Sequence, residues 1–374
     1  MSSIDLPGGD GGPLAPSFSS ATPRRLRIEF SGTGGEYFRI WIVNILLSIL
    51  TLGIYSAWAK VRNKQYFYGS SSLDGASFEY SANPVSILKG RLLVVGVLVL
   101  YQLFATFAPV LSAAMALGFV LLLPWIVVQA LSFNARYSSH RGLRFHFDGR
   151  YGEAFSCYIL WTVLAVISGG LAYPYAVYLR KRFILGKSRY GSTRFQFGAP
   201  AGYFYAVYSL AVVALLGLIV VSVIIGGGIA AAGGMLLGPG SDPDPSDQRN
   251  MQLAMLFVVV WYLLFFVVLI GLSSVVQTVL TNYIWRHATL GDLRFDMQMS
   301  PVRVLWIQLT NIVLIVVSAG LFIPWARVRI VRYRLACFRV LAAEPLDSFA
   351  AGERERISAT GEEFGEALDL DLGL

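Results

Sequence analysis

Six stretches of the chain carry no Asp, Glu, Lys or Arg at all: 40–59, 92–135, 154–179, 195–241, 250–285 and 304–326. Each approaches or exceeds the ~20 residues that cross a bilayer core. A water-soluble core cannot hide so much apolar chain, and the composition agrees. Hydrophobic residues make up 56% of the 374, charged residues only 14%, and the mean hydropathy is +0.61. The chain reads as an integral membrane protein.

Residues 1–23 are rich in Gly, Pro and Ser, and the first apolar run starts only at Ile40. A disordered N-terminal tail is expected there, and no signal peptide is apparent. Cys157 and Cys337 lie far apart without CxxC spacing, which suggests neither a disulfide framework nor a zinc site.

The chain also repeats itself. Shifted by 117 positions, Arg27-Ile-Glu-Phe-Ser-Gly falls on Arg144-Phe-His-Phe-Asp-Gly, and the register carries Gly53 onto Gly170. Shifted by 267, Asn44 falls on Asn311, Gly53 on Gly320, Trp58 on Trp325 and Tyr66 on Tyr333. Two longer units lie between these three short ones. They start at Phe78-Glu79-Tyr80 and Phe195-Gln196-Phe197 and end on matched pairs, Gln129 with Asn134 and Gln277 with Asn282. The membrane domain, 24–343, divides into units of about 24–68, 69–137, 138–186, 187–285 and 286–343. An acidic segment, 344–374, follows it.

Charge decides the expected topology. If every apolar segment crossed fully, the basic segments 24–39 and 60–91 would lie on opposite faces, against the positive-inside rule. If each short unit is instead a helical hairpin that enters and leaves by one face, all basic segments fall on the cytoplasmic side. Only the net-acidic 241–249 then lies opposite. The three short units break at one place, at Gly53, Gly170 and Gly320, with Pro174 and Pro324 starting a fresh helix in two of them. Arms of about 15 residues, ~22 Å of helix, fall short of a ~30 Å core. Such a re-entrant bend is expected to bury its backbone against protein; a kinked full span is the rival reading. The long units read as transmembrane pairs, about 91–108 with 112–134 and about 203–235 with 250–282.

Four linkers, 67–80, 137–147, 186–197 and 286–297, place a glycine turn before an alternating aromatic/polar run. With Leu26–Phe30 they suggest a cytoplasmic β layer, or else amphipathic linkers at the interface. The expected fold is an all-α integral membrane protein, its re-entrant hairpins alternating with transmembrane pairs and carrying short cytoplasmic β-hairpins.

The stretch FSGTGGEYFRIWIVNILLSILTLGIYSAWAKVRNKQYFYGSSSLDGASFEY, with its LGIYSAWAKVR core, resembles the YjgN-like family of bacterial inner-membrane proteins. The resemblance spans about 25–343. It implies a multi-pass inner-membrane location, with both termini cytoplasmic on the charge argument above, and supplies no activity and no catalytic residue.

No catalytic signature is present in the residues themselves. GTGGE at 32–36 lacks both the P-loop GK[ST] and the G-x-G-x-x-G spacing. It reads as a turn before a helix with Glu36 near its positive end. His140, His146, Asp148 and Glu153 cluster in sequence, but only one repeat copy carries the histidines, so a structural role is favoured over a metal. No metal, no cofactor and no enzymatic activity are expected.

The apolar segments lack a central charge, hence the relay of an energy-coupled transporter. Their polar residues include Asn44, Asn311, Gln129, Gln277, Asn134 and Asn282, which serve either as interhelical hydrogen bonds or as the lining of a polar path. Trp58, Tyr175 and Trp325 suit a headgroup belt. Lys60, Arg62, Lys64, Arg180, Lys181, Arg182, Arg327 and Arg329 suit anionic lipid on the cytoplasmic leaflet. Nucleic acid is not needed to explain them. The last 31 residues hold nine acids against two arginines, while the other 343 hold 28 basic against 13 acidic. The tail is therefore expected to lie on the chain's own basic face or to meet a cytosolic partner; a homo-oligomer is also compatible with the sequence. Two functions compete: an uncoupled conduit or lipid/solute-binding protein, and a membrane organiser that wedges the cytoplasmic leaflet and gathers anionic lipid. A lipid-modifying enzyme ranks third.

Overall fold

The computed structural model describes residues 24–236 and 245–360, including the side chains of all of these except 229–236, 245–248, 250, 251, 254 and 357–360. The expected N-terminal tail 1–23, residues 241–244 of the acidic loop and 361–374 of the acidic tail lie outside the described residues.

Inward and outward residues alternate along ten short strands. These are β1 (Arg24–Phe30), β2 (Ser71–Leu73), β3 (Ala76–Tyr80), β4 (Ser138–His140), β5 (Leu143–Phe147), β6 (Ser188–Tyr190), β7 (Thr193–Phe197), β8 (Ala288–Leu290), β9 (Leu293–Met297) and β10 (Phe338–Ala342). Each pairs antiparallel with its sequence neighbours, and β1 pairs with β10, Leu26 opposite Val340, which closes a barrel. The register puts one set of pairs inside: Ile28 with Leu73, Phe145 with Tyr190, Phe195 with Leu290 and Val340 with Phe295. The other set, including Arg27 with Arg339, Arg189 with Arg194 and Thr289 with Arg294, faces out. A period of two allows only this partition.

The expectation of an all-α protein with only short β-hairpins is overturned by this closed barrel. Strands of three to seven residues are unstable as isolated hairpins, and each would leave a row of unpaired edge groups. Closure through β10, which the sequence reading did not single out, removes every edge.

Strand connections alternate in kind. At one end, two-residue turns join β2–β3, β4–β5, β6–β7 and β8–β9. Asp74-Gly75 and Arg141-Gly142 have positive φ at both residues, as in a type I′ turn, while Gly191 and Gly291 take positive φ at the first position. At the other end every connection is a helix pair. These are α1 (Gly34–Leu50) with α2 (Ser56–Gly69), α3 (Pro84–Phe107) with α4 (Pro109–Arg136), α5 (Tyr151–Ile167) with α6 (Tyr173–Lys187), α7 (Gly202–Leu236) with α8 (Pro245–Arg286), and α9 (Pro301–Val317) with α10 (Ile323–Ala336). Sequence neighbours pack together, and α10 packs against α1, so ten helices ring the barrel end.

α3, α4, α7 and α8 are long and apolar enough to cross a membrane, and α3 buries no residue within the protein. The bends of α1–α2, α5–α6 and α9–α10 share one geometry. Gly53, Gly170 and Gly320 take φ of 92°, 93° and 90°. Their N–H groups donate five residues back, to Ser48 O, Ala165 O and Ile315 O, at 2.7–2.8 Å. Thr51, Ser168 and Ser318 then accept from the N–H of Tyr55, Ala172 and Phe322 through their hydroxyls. The bends thus satisfy their own backbone, a Schellman-type closure aided by a hydroxyl, and do not rely on burial against protein. Their tips are outermost: Leu52 is 95% exposed and Val317 79%.

Within α5, a π turn at Ser156–Leu160 displaces the hydrogen-bond ladder. Arg180 Nε donates to Cys157 O there (3.3 Å), and its Nη2 donates to Thr162 Oγ1 (2.6 Å).

The turn end of the barrel is closed by a last helix, α11 (Leu346–Thr360). Leu346 and Ala350 are buried in the barrel core with Phe349 packed beside them. The acidic segment that the charge count sets apart as a tail therefore begins as part of the barrel.

Candidate functional site

A cavity of about 670 Å³ occupies the barrel, the size of a small-molecule site. Barrel diameter grows with strand number; about eight strands are just filled by their own side chains, and ten leave a void. Its wall is largely aromatic and aliphatic, with Phe78, Phe145, Phe195, Phe295, Phe338 and Leu290 supplied by seven-residue or shorter strands. Phe67, Tyr68, Ala135, Trp285, Val331 and Leu335, from the barrel-side ends of α2, α4, α8 and α10, line it at the helix end. Leu346 and Phe349 of α11 line it at the turn end.

Two buried polar groups of this wall are neutral at pH 7. The His140 ring stacks on Phe78 (4.5 Å), and its Nδ1 lies 3.4 Å from Tyr190 Oη, which itself donates to His140 O (2.9 Å). Burial, and then the nearby Arg141 charge, lower the imidazole pKa from 6.5. Burial pushes the Tyr190 phenol up to about 12. Arg141 is held by Asp74 (Nη2 to Oδ2, 3.3 Å) and by Asp347 of α11.

Besides Asp347, a second and fully buried carboxylate fastens the cap. Glu353, 1% exposed, accepts from Ser192 N and Oγ (both 2.7 Å), Thr193 N (3.1 Å) and Thr193 Oγ1 (2.7 Å). Burial alone would raise its pKa; the four hydrogen bonds outweigh that and hold it below the usual carboxylate range. Arg354 Nη2 adds a bond to Arg141 O (2.7 Å). The turn end is thus sealed by polar latches over an apolar plug. Asn134 stands at the helix end, where its Oδ1 accepts from Lys64 Nζ.

The polar residues singled out from sequence scatter. Asn44 and Asn311 are buried in separate hairpins. Asn44 Nδ2 donates to Asn63 Oδ1 (3.2 Å), while Asn311 Nδ2 donates to Ala326 O (3.3 Å) and its Oδ1 accepts from Arg329 (3.3 Å). Gln129 and Gln277 face outward. Asn282 binds Met299 through both N–H and C=O, at 3.0 and 2.8 Å, which fixes the β9–α9 connection. Pro174 and Pro324 sit in the first turns of α6 and α10.

Of the aromatic belt, Trp58 stacks on Tyr55 (6.2 Å), Tyr175 meets Trp161 edge-on (4.4 Å), and Trp325 packs on Phe38 (5.0 Å). Trp325 lies so close to Gly34 that a Cβ there would come within 2.1 Å of its Cδ1. Lys60, Arg62, Lys181, Arg182 and Arg327 are exposed; Lys64, Arg180 and Arg329 are half-buried. His140 points into the barrel opposite Leu143, and His146, of opposite parity on β5, lies on the other face across from Arg189. Asp148 pairs with Arg194 (3.2 Å) and Glu153 with Lys187 (2.6 Å). Among the described residues, no three His, Cys, Asp or Glu come together to hold a metal.

The barrel wall is what sequence reasoning missed as a site. Its signal was present as parity: Phe78, Phe145, Phe195 and Phe295 occupy equivalent strand positions in four hairpins, but only closure makes them face one another.

No solved structure matches the chain. It is 26% identical over 347 residues to "Inner membrane protein YjgN" of Salmonella typhimurium, covering 82% of this chain and 86% of that protein. It is 33% identical over 122 residues to the protein of the same name in Escherichia coli O157:H7, covering 32% and 30% of the two chains. The relatives are thus inner membrane proteins, and the profile of the family described as "Bacterial protein of unknown function (DUF898)" matches residues 25–367, so this chain belongs to that family.

Proposed function

We propose that this protein is a non-catalytic lipid-binding protein of the bacterial inner membrane, whose barrel receives an apolar chain from the bilayer. The observation that carries the reading is the 670 Å³ apolar cavity, walled by helix ends of the membrane ring at one end and plugged by α11 at the other. An apolar void of this size in water favours an apolar occupant.

The long pairs α3–α4 and α7–α8 anchor the ring as multi-pass spans. The barrel and both termini face the cytoplasm, and the three short pairs dip into the leaflet from that side. α1 and α9, 17 residues each, are about 26 Å long, short of a ~30 Å core. Ser31 N donates to Ser70 O (3.0 Å), so the two flanks of the first hairpin emerge side by side. Cysteines placed at Ser31 and Ser70, in a background free of Cys157 and Cys337, should both resist a membrane-impermeant thiol reagent applied from the periplasm. Labelling of either one defeats this topology.

The binding itself is tested at the mouth. Wild-type protein released from native membranes into mild detergent should carry a lipid-mass adduct in native mass spectrometry. Ala135→Trp or Leu335→Trp, which fill the mouth, should lose it while keeping the thermal midpoint. No adduct in the wild type, or the same adduct in both variants, overturns the reading. The exposed bend tips favour one second reading, a leaflet wedge that shapes the bilayer. That role would change vesicle shape in the wild type and in Ala135→Trp alike.

A further inference from the structure

Beside the barrel lies a second cavity, a groove of about 480 Å³. Ser56, Lys60, Asn63, Lys64 and Phe67 line it from one face of α2, at the three- and four-residue spacing of helix neighbours, and Arg327 of α10 lies across from them. α2 and α10 both pack against α1, which is how two cationic segments distant in sequence meet. Phe67 and Tyr68 line both cavities. One wall therefore divides a basic groove from an apolar barrel.

No carboxylate answers the cations of the groove. Among the described residues, Lys60, Lys64 and Arg327 form no ion pair, nor does Arg91, which lies outside the lining and reaches Ser56. The partners they have are neutral: Arg327 Nη1 donates to Tyr37 Oη (3.1 Å), Lys64 Nζ to Asn134 Oδ1 and, at 3.5 Å, to Tyr80 Oη, and Arg91 Nη1 to Ser56 Oγ. Asn44 occupies Asn63 Oδ1, which leaves the Asn63 NH2 as a donor on the groove wall. Uncompensated cations beside hydrocarbon are costly, and the cheapest relief is an anion. Lysines suit it as point charges, and Arg327 adds a planar fork of donors.

Resting on the reading of the barrel as a receptacle for an apolar chain, we propose that this groove holds the oxyanion head of an amphiphile whose chain passes Phe67 and Tyr68 into the barrel. Phosphate and carboxylate heads share the required chemistry. Asn44 is then a positioning residue: it touches no ligand and orients Asn63.

The test uses the full chain in nanodiscs made mostly of phosphatidylcholine. A minor lipid carries a diazirine at its chain end, as phosphatidylglycerol, as phosphatidylcholine or as palmitate, and crosslinked peptides are mapped by mass spectrometry. Phosphatidylglycerol should label the 193–197 and 288–297 strands in preference to phosphatidylcholine by about fivefold for each groove cation engaged, the worth of one near-surface Lys or Arg toward an anionic lipid. Lys60→Gln with Arg327→Gln should bring the two lipids to parity, and Lys60→Arg should restore the preference. Palmitate labelling above that of phosphatidylcholine supports a carboxylate head; labelling confined to phosphatidylglycerol supports a phosphodiester of net negative charge, with no choline to offset it. Strand labelling that ignores head charge and both variants overturns the groove while leaving the barrel reading intact. Strand labelling by none of the three lipids overturns the barrel reading itself.

Discussion

The two ends of the barrel are built on opposite principles. The turn end is sealed: α11 lays Leu346, Phe349 and Ala350 into the core, and Glu353 takes four hydrogen bonds from the β6–β7 turn. The helix end is walled by side chains from four separate helices, where Lys64 donates to Asn134 and Tyr80 and Ser138 donates to Tyr68. On the proposed reading, a container closed by specific polar latches on one side and walled by side chains of the helix ring on the other is entered from the ring.

Removing the latch should have the largest effect. Glu353→Ala leaves buried donors of Ser192 and Thr193 unpaired, at a cost of roughly 3 kcal/mol to cap closure. Every 1.4 kcal/mol is tenfold, so a thiol reagent in solution should reach a cysteine placed at Leu293 about a hundredfold faster than in the parent. An unchanged rate would mean that the turn end is not sealed by Glu353, and the contrast between the ends would collapse.

Acid should do the same more gently. Glu353 has a folded pKa below its unfolded one, so its contribution to cap closure is fully present above about pH 4.3, the ordinary glutamate value, and is lost as pH falls through the depressed folded value. His140 adds an earlier step. Its folded pKa is also depressed, so the unfolded state binds the proton first, and barrel stability falls as pH drops below about 6.5. Protection of the Ser192 and Thr193 amides, taken relative to the intrinsic exchange rate at each pH from 7 to 3.5, should fall first through the His140 step and then through the Glu353 step, and His140→Phe should remove only the upper one. Protection that stays constant with pH would break the assignment.

The smallest effect is expected at the other end. Asn134→Ala deletes a hydrogen bond to the half-buried Lys64, worth about 1 kcal/mol, and should leave the reactivity of the Leu293 cysteine nearly unchanged. A large increase there would show that the mouth, too, is latched.

How much of this was legible in the chain differs between its two halves. The helical half was written plainly. Runs such as 92–135 name helices long and apolar enough to cross a membrane, because that needs only length and lack of charge. The breaks at Gly53, Gly170 and Gly320 mark bends because positive φ is local chemistry. The hydroxyls that complete those bends, Thr51, Ser168 and Ser318, fell in register in the repeats but carried no recognisable signature before their bonds to Tyr55, Ala172 and Phe322 were seen.

The barrel half was legible only in fragments. Glycine turns and alternating runs give strands and their inward faces, since parity is a property of neighbouring residues. Which strands pair is a property of distant ones. Nothing in Leu26 or Val340 alone says that they lie opposite each other, and without that pairing Phe78, Phe195 and Phe295 belong to five-residue patterns on separate linkers. The same holds for both candidate sites. Lys60 and Arg327 read as two stretches of headgroup belt until α1 brought α2 and α10 to its two sides, and Glu353 read as one more charge in an acidic tail until Ser192 and Thr193 surrounded it. Sequence determined what is local here, namely long apolar helices, helix breaks, turn chemistry and strand parity. Closure of the sheet, the cavity inside it and the groove beside it were decided by tertiary contacts alone, because a void belongs to no residue and exists only between surfaces brought together from the whole chain.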